Sequence, residues 1–481
     1  MNISVISRLF FSMALVVINA FTAGGNHTIA NFQGPNNNSN TTITTAAAGR
    51  VFLPFLSTPR AYYVSPGGSD SNPGTMTLPW RTITKAGNSV VPGDTVYVRG
   101  GTYPESVTLS RSGSPSGNIT IQAYPNEKPV ITGNSLSMSS WGSLVSISGS
   151  YITFSGFEVS NSRYIGIIIK GTHDVVDNAF SHHNQGNGIL IAGDYSTVQN
   201  SRVWRNVLSN EYGKAGRWDT GLSAARDTTN GITDNAVIRN NTVWENWGEG
   251  ISSFEANGTV IEGNISHDNY SANIYVSDST NVLVQDNLVY MDNASYVFGS
   301  GANVGIMMGD EKYTPASANI TVINNIAYNN HRNFFWWKGN QEVGMNNVLI
   351  AYNTFVNGCG DGSNGNSNVI IGAGTHQNVR FMDNIVQQDS AIPLIGTKAQ
   401  EGITYSHNLW SRAPLSAAAG AGDVIANPLL AKAGSTFSSQ YYALTGSSPA
   451  INKGISLSEV LTDFARATRG SPSDIGALEY R

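Results

Sequence analysis

Three short segments of the chain are near copies of one another. Val237-Ile-Arg-Asn-Asn-Thr-Val, Val260-Ile-Glu-Gly-Asn-Ile-Ser and Leu283-Val-Gln-Asp-Asn-Leu-Val place Asn241, Asn264 and Asn287 at intervals of 23 residues. Self-similarity at a period of about 20–50 residues is the mark of a repeat architecture. The pattern extends both ways through Ser155, Asn178, Ser201, Asn325, Asn353, Asn384 and Asn408. Apolar residues stand three before each anchor (Ile152, Val175, Val198, Ile238 and onward), and again two after it (Phe157, Phe180, Val203, Val243 and onward), with Ser266 as the exception. Alternation of this kind is the signature of a half-buried strand. A unit of this size cannot bury its apolar face alone, so successive coils must stack. Stacking brings like residues to roughly 4.8 Å from one another, which lets asparagine amides hydrogen-bond along the stack. Parallel crossovers are right-handed. The expectation is therefore an all-β chain, a right-handed parallel β-helix with coils of about 23 residues, and structural rather than chemical anchors.

A solenoid explains how 481 residues form one domain, since it grows by adding coils. Net charge is −5 with no basic stripe, which argues against a nucleic-acid partner. Cys359 is the only cysteine, so no disulfide within the chain is possible. Residues 1–20 read as a signal peptide: Arg8, an apolar run from Leu9 to Ile18, then Ile18-Asn19-Ala20. That run is short for a membrane span, and no other membrane segment is present. Residues 21–60 read as an Asn/Thr-rich linker and 61–481 as the β-helix domain, secreted and monomeric. A short amphipathic helix around Pro79–Ala86 would cap the open end of the solenoid.

Tyr62-Tyr-Val-Ser-Pro-Gly-Gly-Ser-Asp, Pro79-Trp-Arg-Thr-Ile and Pro92-Gly-Asp-Thr-Val-Tyr-Val-Arg-Gly-Gly-Thr-Tyr open the domain. Ser448-Pro-Ala-Ile-Asn-Lys-Gly and Asp474-Ile-Gly-Ala-Leu-Glu-Tyr close it. In these stretches the chain resembles secreted right-handed β-helix proteins, including polysaccharide lyase family 9, the pectate lyases. The resemblance implies fold more than activity. That family carries a calcium-binding cluster in an Asp-Asp-Gly-Phe-Asp-like stretch and a base in an Asn-Gly-Phe-Lys-like stretch. The second strands here read Asp219-Thr-Gly-Leu-Ser, Gly248-Glu-Gly-Ile-Ser and Arg332-Asn-Phe-Phe-Trp. Neither pattern is intact, and no catalytic residue is carried over.

Aligning the second strands of successive coils produces a column of charge just past their ends: Arg226, Glu255, Asp278, Asp310 and Lys338. One reading is a solvated rim of alternating ion pairs, each worth little. A second gives Asp278, Asp310 and Glu311 to a calcium ion, which prefers hard oxygen ligands. The ion would neutralise a substrate uronate, and Lys338 or Arg226 would then take its C5 proton, provided the pKa of the base is lowered by its surroundings. A third uses paired carboxylates on a glycosidic bond: Glu255 with Asp278 at the shorter, retaining separation, or Glu255 with Asp310 at the longer, inverting one. Glu249 is a further candidate, because Gly248 and Gly250 would let a ligand approach it closely.

Trp218, Trp247, Tyr275 and Trp337 lie on or beside these strands and are candidates to stack on sugar rings, with Trp336 packed inward. His267 reads as a turn or packing residue. His182 and His183 are expected on opposite faces of a strand, which argues against a shared metal site. The chain thus reads as an extracellular polysaccharide-degrading protein. A calcium-assisted β-elimination lyase on a uronic-acid polymer such as pectate is the first expectation, a glycoside hydrolase the second and a non-catalytic glycan-binding or cell-surface protein the third.

Overall fold

The computed structural model describes residues 59–138, 142–214, 218–226, 231–293, 303–312, 316–339, 343–359, 367–397 and 401–481. The expected signal peptide and most of the linker lie outside these residues. The described residues build a right-handed parallel β-helix. Three parallel sheets of 13, 13 and 11 strands run the length of the solenoid. Each coil passes through them in the same order, illustrated by Val237–Arg239, Thr242–Trp244 and Glu249–Phe254. They are called here the anchor sheet, the return sheet and the site sheet. No helix among the described residues is long and apolar enough to cross a membrane.

Two asparagine ladders hold the corners. At the anchor-to-return corner, Asn241 donates through Nδ2 to Asn264 Oδ1 at 3.1 Å, Asn264 to Asn287 at 3.0 Å, Asn287 to Asn325 at 2.9 Å, and the series continues through Asn353 and Asn384 to Asn408. Each Nδ2 also donates to a strand carbonyl, as Asn264 does to Ile238 at 2.9 Å. Each Oδ1 also accepts a backbone N–H, so the amide's hydrogen-bonding capacity is consumed inside a dry corner. The second ladder, at the return-to-site corner, was not read from the sequence. It runs through Asn184, Asn206, Asn246, Asn269, Asn273, Asn330, Asn333 and Asn368.

That second ladder accounts for the glycine that opens so many site-sheet strands. A Cβ on Gly221 would lie 2.6 Å from Asn246 Nδ2, and one on Gly250 2.4 Å from Asn269 Nδ2. Where the residue is asparagine instead, at 273 and 333, its amide joins the ladder.

The anchor register holds from Ser201 onward and fails before it. Val176 pairs with Phe154 and with Val198, so these coils are 22 residues long. The corner column there is Ala179, which donates its N–H to Ser201 Oγ at 3.0 Å, and not Asn178, an exposed residue with φ of 49°. The one-residue slip reverses the faces. Val176 and Ser181 point inward, while Val175 and Phe180 point outward, the latter beneath the ammonium of Lys128 at 4.8 Å.

The core is a column of stacked apolar side chains. Leu222, Ile251, Ile274, Ile306 and Phe334 form one layer of it, and Ala224, Val276, Met308 and Trp336 the next. The capping helix is shorter than expected, Ile83–Gly87, with Thr82 Oγ1 accepting from the Lys85 N–H at 3.1 Å. Pro79 and Trp80 lie outside it, because Trp80 bridges to Val64 as a strand residue. Ile83 and Ala86 are buried over the first strands.

The C-terminal segment decides which face stays available. Leu430, Tyr442, Leu444, Ile475 and Leu478 pack on the outward residues of the return sheet, Leu288, Ile326, Val356, Ile385 and Leu409. Val460, with Ile455 and Leu457, covers Ile323, Leu349 and Met382 of the anchor sheet. No residue of that segment belongs to the outward clusters of the site sheet among the described residues.

Candidate functional site

The outward face of the site sheet is built by five consecutive strands: Thr220–Ala225, Glu249–Phe254, Ala272–Ser277, Val304–Gly309 and Arg332–Trp337. Their register pairs Ala225 with Phe254, Phe254 with Ser277, Ser277 with Gly309 and Gly309 with Trp337. The next residue in each is Arg226, Glu255, Asp278, Asp310 and Lys338, so the charged column lies in register. Its centre, however, closes turns. Asp278 is fully buried with φ of 48°, and its carboxylate accepts the backbone N–H of Lys312 at 2.7 Å and of Glu311 at 3.1 Å. Asp310 is buried too; Oδ1 accepts the Ser317 N–H at 2.8 Å, and burial pushes its pKa up to about 6. Glu255, at φ of 49°, sits between Lys312 Nζ at 2.7 Å and Arg226 at 3.7 Å.

Glu311 turns away from this group and accepts the Tyr275 hydroxyl proton at 2.8 Å. A calcium site needs six to eight oxygens around one point. Asp278, Asp310 and Glu311 instead serve three separate contacts, and no group of three or more His, Cys, Asp or Glu residues able to hold an ion occurs among the described residues. The donor set expected for calcium does not fit, and no step is derived through it. Of the carboxylates considered for hydrolysis, Glu255 is held by Lys312 and Arg226 and Asp278 by backbone N–H groups, whereas Asp310 Oδ2 is buried without a hydrogen-bond partner among the described residues.

Lys338 ends the column. It lines a groove of about 370 Å³ with Arg332, Phe335, Trp337, Gly339 and Ile370. Strand alternation sends Trp336 into the core and leaves Trp337 39% exposed. The Arg332 guanidinium lies over the Phe335 ring, 4.8 Å from its centroid. Arg332 and Phe335 were not singled out from the sequence. Alternation along Arg332-Asn-Phe-Phe-Trp-Trp signals only Phe335, which shares the face of Trp337; it would group Arg332 with the buried Phe334 and Trp336, so the place of Arg332 had no signal in the pattern.

A second group lies two to four coils away on the same face. Glu249 is 7% exposed, and the Thr220 hydroxyl donates to Oε2 at 3.2 Å. Burial pushes its carboxyl up to about 8, with the charges of Glu311 and Asp219 adding to the rise. It is therefore largely protonated at neutral pH. Ser252 Oγ lies 3.1 Å from Thr220 Oγ1, and Ser252 pairs in register with Tyr275.

The four expected sugar-stacking aromatics divide. Trp218 is 59% exposed and Trp337 presents an open ring. Tyr275 is buried among Ala272, Val304, Met307 and Phe335, and Trp247 is buried among Val207, Leu208 and Tyr270, so neither offers a ring face to a ligand. They hold the site sheet's outer layer in place. Outside the site, His267 belongs to a stack on the return sheet between Trp244 and Tyr290. His182 and His183 do meet, Nδ1 to Nδ1 at 2.8 Å, because His183 adopts φ of 54° and breaks the strand alternation.

With this geometry in hand, the comparisons with known proteins bear on it. The family model described as Pel9A-like, right handed beta helix region matches residues 62–360, more than half of the chain. The chain belongs to the Pel9A-like right-handed β-helix family. Pectate lyase L of Dickeya dadantii is 26% identical over 339 residues, covering 61% of this chain and 79% of that protein. The uncharacterized protein YwoF of Bacillus subtilis is 27% identical over 389 residues, 73% of this chain and 80% of that one. The solved structure of pectate lyase Pel9A superimposes with a TM-score of 0.52 at 22% identity, over 89% of this chain and 98% of that chain. This Pel9A-like chain thus shares its architecture with lyases, and it closes its turns with the carboxylates expected to bind calcium.

Proposed function

We propose that this protein is a secreted polysaccharide lyase that cleaves a uronic-acid-containing polymer, such as pectate, by β-elimination on the outer face of the site sheet. The observation that carries the reading is the groove in which Arg332, Lys338 and the open ring of Trp337 meet. Membership of the Pel9A-like family supports it.

A uronate offers three features for recognition: an apolar ring face, a carboxylate and an acidified proton at C5. Trp337 stacks on the ring. Arg332 pairs with the carboxylate and withdraws charge from it, which stabilises the anion that develops at C5. Lys338, as free amine, takes the C5 proton. The electron pair of the C5–H bond forms the C4–C5 double bond, the C4–O4 bond breaks, and the leaving oxygen takes a proton from solvent. No further reactant is consumed. The positive charge that faces the substrate carboxylate in this scheme comes from Arg332.

A second reading is supported by Glu249. A buried carboxyl that keeps its proton at neutral pH is suited to protonate a glycosidic oxygen, and Glu311 and Asp219 lie near enough to influence it, as the acid and base of a hydrolase would. One assay separates the readings. Purified protein is incubated with pectate, alginate and glucuronan, with calcium and with chelator, and absorbance of the unsaturated product is followed. A rise establishes elimination, and its loss by about 100-fold or more in Lys338→Ala identifies the base. A flat trace with new reducing ends that vanish in Glu249→Gln establishes hydrolysis. Neither product leaves a glycan-binding protein. The chelator arm decides whether a divalent ion takes part.

A further inference from the structure

A second aromatic surface lies at the return-to-site corner, toward the N-terminal coils. Leu208–Gly213 forms a 3-10 segment that carries Tyr212 and leads into Lys214. Tyr212 is 55% exposed and its ring packs at 4.8 Å on the buried Trp247. Trp218, more exposed still, leans on Tyr270 at 5.8 Å, and Tyr270 touches Trp247 in turn. The Lys214 ammonium stands 4.8 Å over the Tyr212 ring. Two large rings held this far into water and steadied by a buried third are the exception on a protein surface, where exposed apolar groups that are clustered mark a binding site. The segment is held in place: Asn210, itself buried, donates to the Trp247 carbonyl at 2.7 Å. Gly213, at φ of 71°, passes so close to Tyr270 that a Cβ would lie 2.6 Å from its hydroxyl.

We propose that Tyr212, Trp218 and Lys214 form a distal subsite that binds an acidic sugar of the same polymer whose cleavage is assigned to the Lys338 groove. The inference rests on that assignment for the identity of the polymer. The chemistry of the two places matches: each offers open aromatic ring surface beside a cation, which suits a sugar ring carrying a carboxylate. The strand following Trp218 and the strand ending at Trp337 are four steps apart in the site sheet, Thr220–Ala225 to Arg332–Trp337. At about 4.8 Å per step the two subsites are roughly 19 Å apart along the solenoid axis, and because Trp218 precedes its strand while Trp337 ends its own, they are also a strand's length, roughly 20 Å, apart across it. A single sugar cannot reach both. The substrate is therefore a polymer that crosses the site sheet obliquely, from the starts of its strands to their ends, and the distal subsite contributes only to binding of long chains.

The test uses the full chain in gels cast with polygalacturonate, alginate, glucuronan or a neutral glucan, together with turnover of polygalacturonate and of short oligogalacturonides. Variants are Tyr212→Ala with Trp218→Ala, and separately Lys214→Glu, an exposed substitution that leaves the packing intact. The expected result is that an acidic polymer retards the wild-type protein and the neutral one does not. Both variants then lose retardation and raise KM on polymer about tenfold, about 1.4 kcal/mol, with the turnover of the shortest cleaved oligomer unchanged. Retardation and KM equal to wild type in both variants overturn the subsite. So does a fall in short-oligomer turnover equal to the fall on polymer, or a wild type that no acidic polymer retards. If the wild type is retarded, and the variants are not, while no unsaturated product forms, the subsite stands and the lyase assignment fails.

Discussion

Replacing Asn264 by alanine removes one rung of the anchor ladder. The side chain donates to Ile238 O at 2.9 Å and to Asn287 Oδ1 at 3.0 Å, and accepts from the N–H of Asn241 at 2.9 Å and from its Nδ2 at 3.1 Å. Its loss leaves the Asn241 N–H with no acceptor in a corner that water does not reach. The Asn241 amide keeps Val198 O, and Asn287 Oδ1 keeps the backbone N–H of residue 264. One orphaned buried donor costs about 1–3 kcal/mol and each of the three weakened bonds about 0.5–1, so the substitution should destabilise the domain by about 2.5–6 kcal/mol. Asn240 is the control: it is the preceding residue, exposed, at φ of 56°, and its replacement by alanine should cost no more than about 1 kcal/mol. Urea unfolding followed by tryptophan fluorescence, with amide exchange at residues 238–242, measures both. Because coils interact only with their neighbours, the exchange should rise first in the coils on either side of the altered rung. Equal stability of the two variants would refute the claim that the ladder, and not simple corner filling, holds this turn.

Glu249→Gln gives a pH signature. The folded-state pKa of Glu249 is raised to about 8, so the folded protein holds a proton there that the unfolded chain releases above the ordinary carboxylate range. Stability is therefore greatest at low pH and falls by about 1.4 kcal/mol per unit as pH rises toward 8. The amide variant escapes this fall, matching the wild type near pH 4 and exceeding it by a few kcal/mol at pH 9; parallel stability curves would contradict the assignment. Asp383, buried and raised to about 7, follows the same rule, and Asp383→Asn should flatten the same region of the curve. Gly213→Ala should displace the segment carrying Tyr212 and Lys214 through its clash with Tyr270 and its positive φ, seen as changed Trp247 fluorescence with little change in global stability. Where elimination is observed, Lys338→Arg, which keeps the positive charge but cannot act as a base, should abolish product formation while polymer binding persists.

The period of the asparagine anchors determined most of the architecture before any coordinates. It required stacking, placed Ile238, Ile261 and Val284 inside, and put Arg226, Glu255, Asp278, Asp310 and Lys338 in a single register that the strand pairing reproduces. Like residues recur at a fixed interval only if they sit on one another, and that information is local and periodic. The tertiary structure decided what those residues do. The left-handed turn at Asp278 brings its carboxylate back to backbone N–H groups, and Glu255, in a turn of the same kind, pairs with Lys312 and Arg226, so the column that resembled a metal site closes corners and ion pairs instead. A shortening to 22 residues moved Asn178 off the ladder and turned Phe180 outward, a change no single coil can register. Tyr275 and Trp247 were read as ring platforms because the sequence states chemistry and not burial; they are covered by Met307 and Phe335 and by Val207 and Tyr270. Glu249 was a candidate by its glycine neighbours, but only enclosure by the sheet's outer layer raises its pKa. The groove of Arg332 and Lys338 and the wall of Tyr212 and Trp218 came within four strands of each other because parallel strands bring residues more than a hundred positions apart within a few steps. Distance of that kind is set by the stacking of whole coils, and it leaves no mark in any one of them.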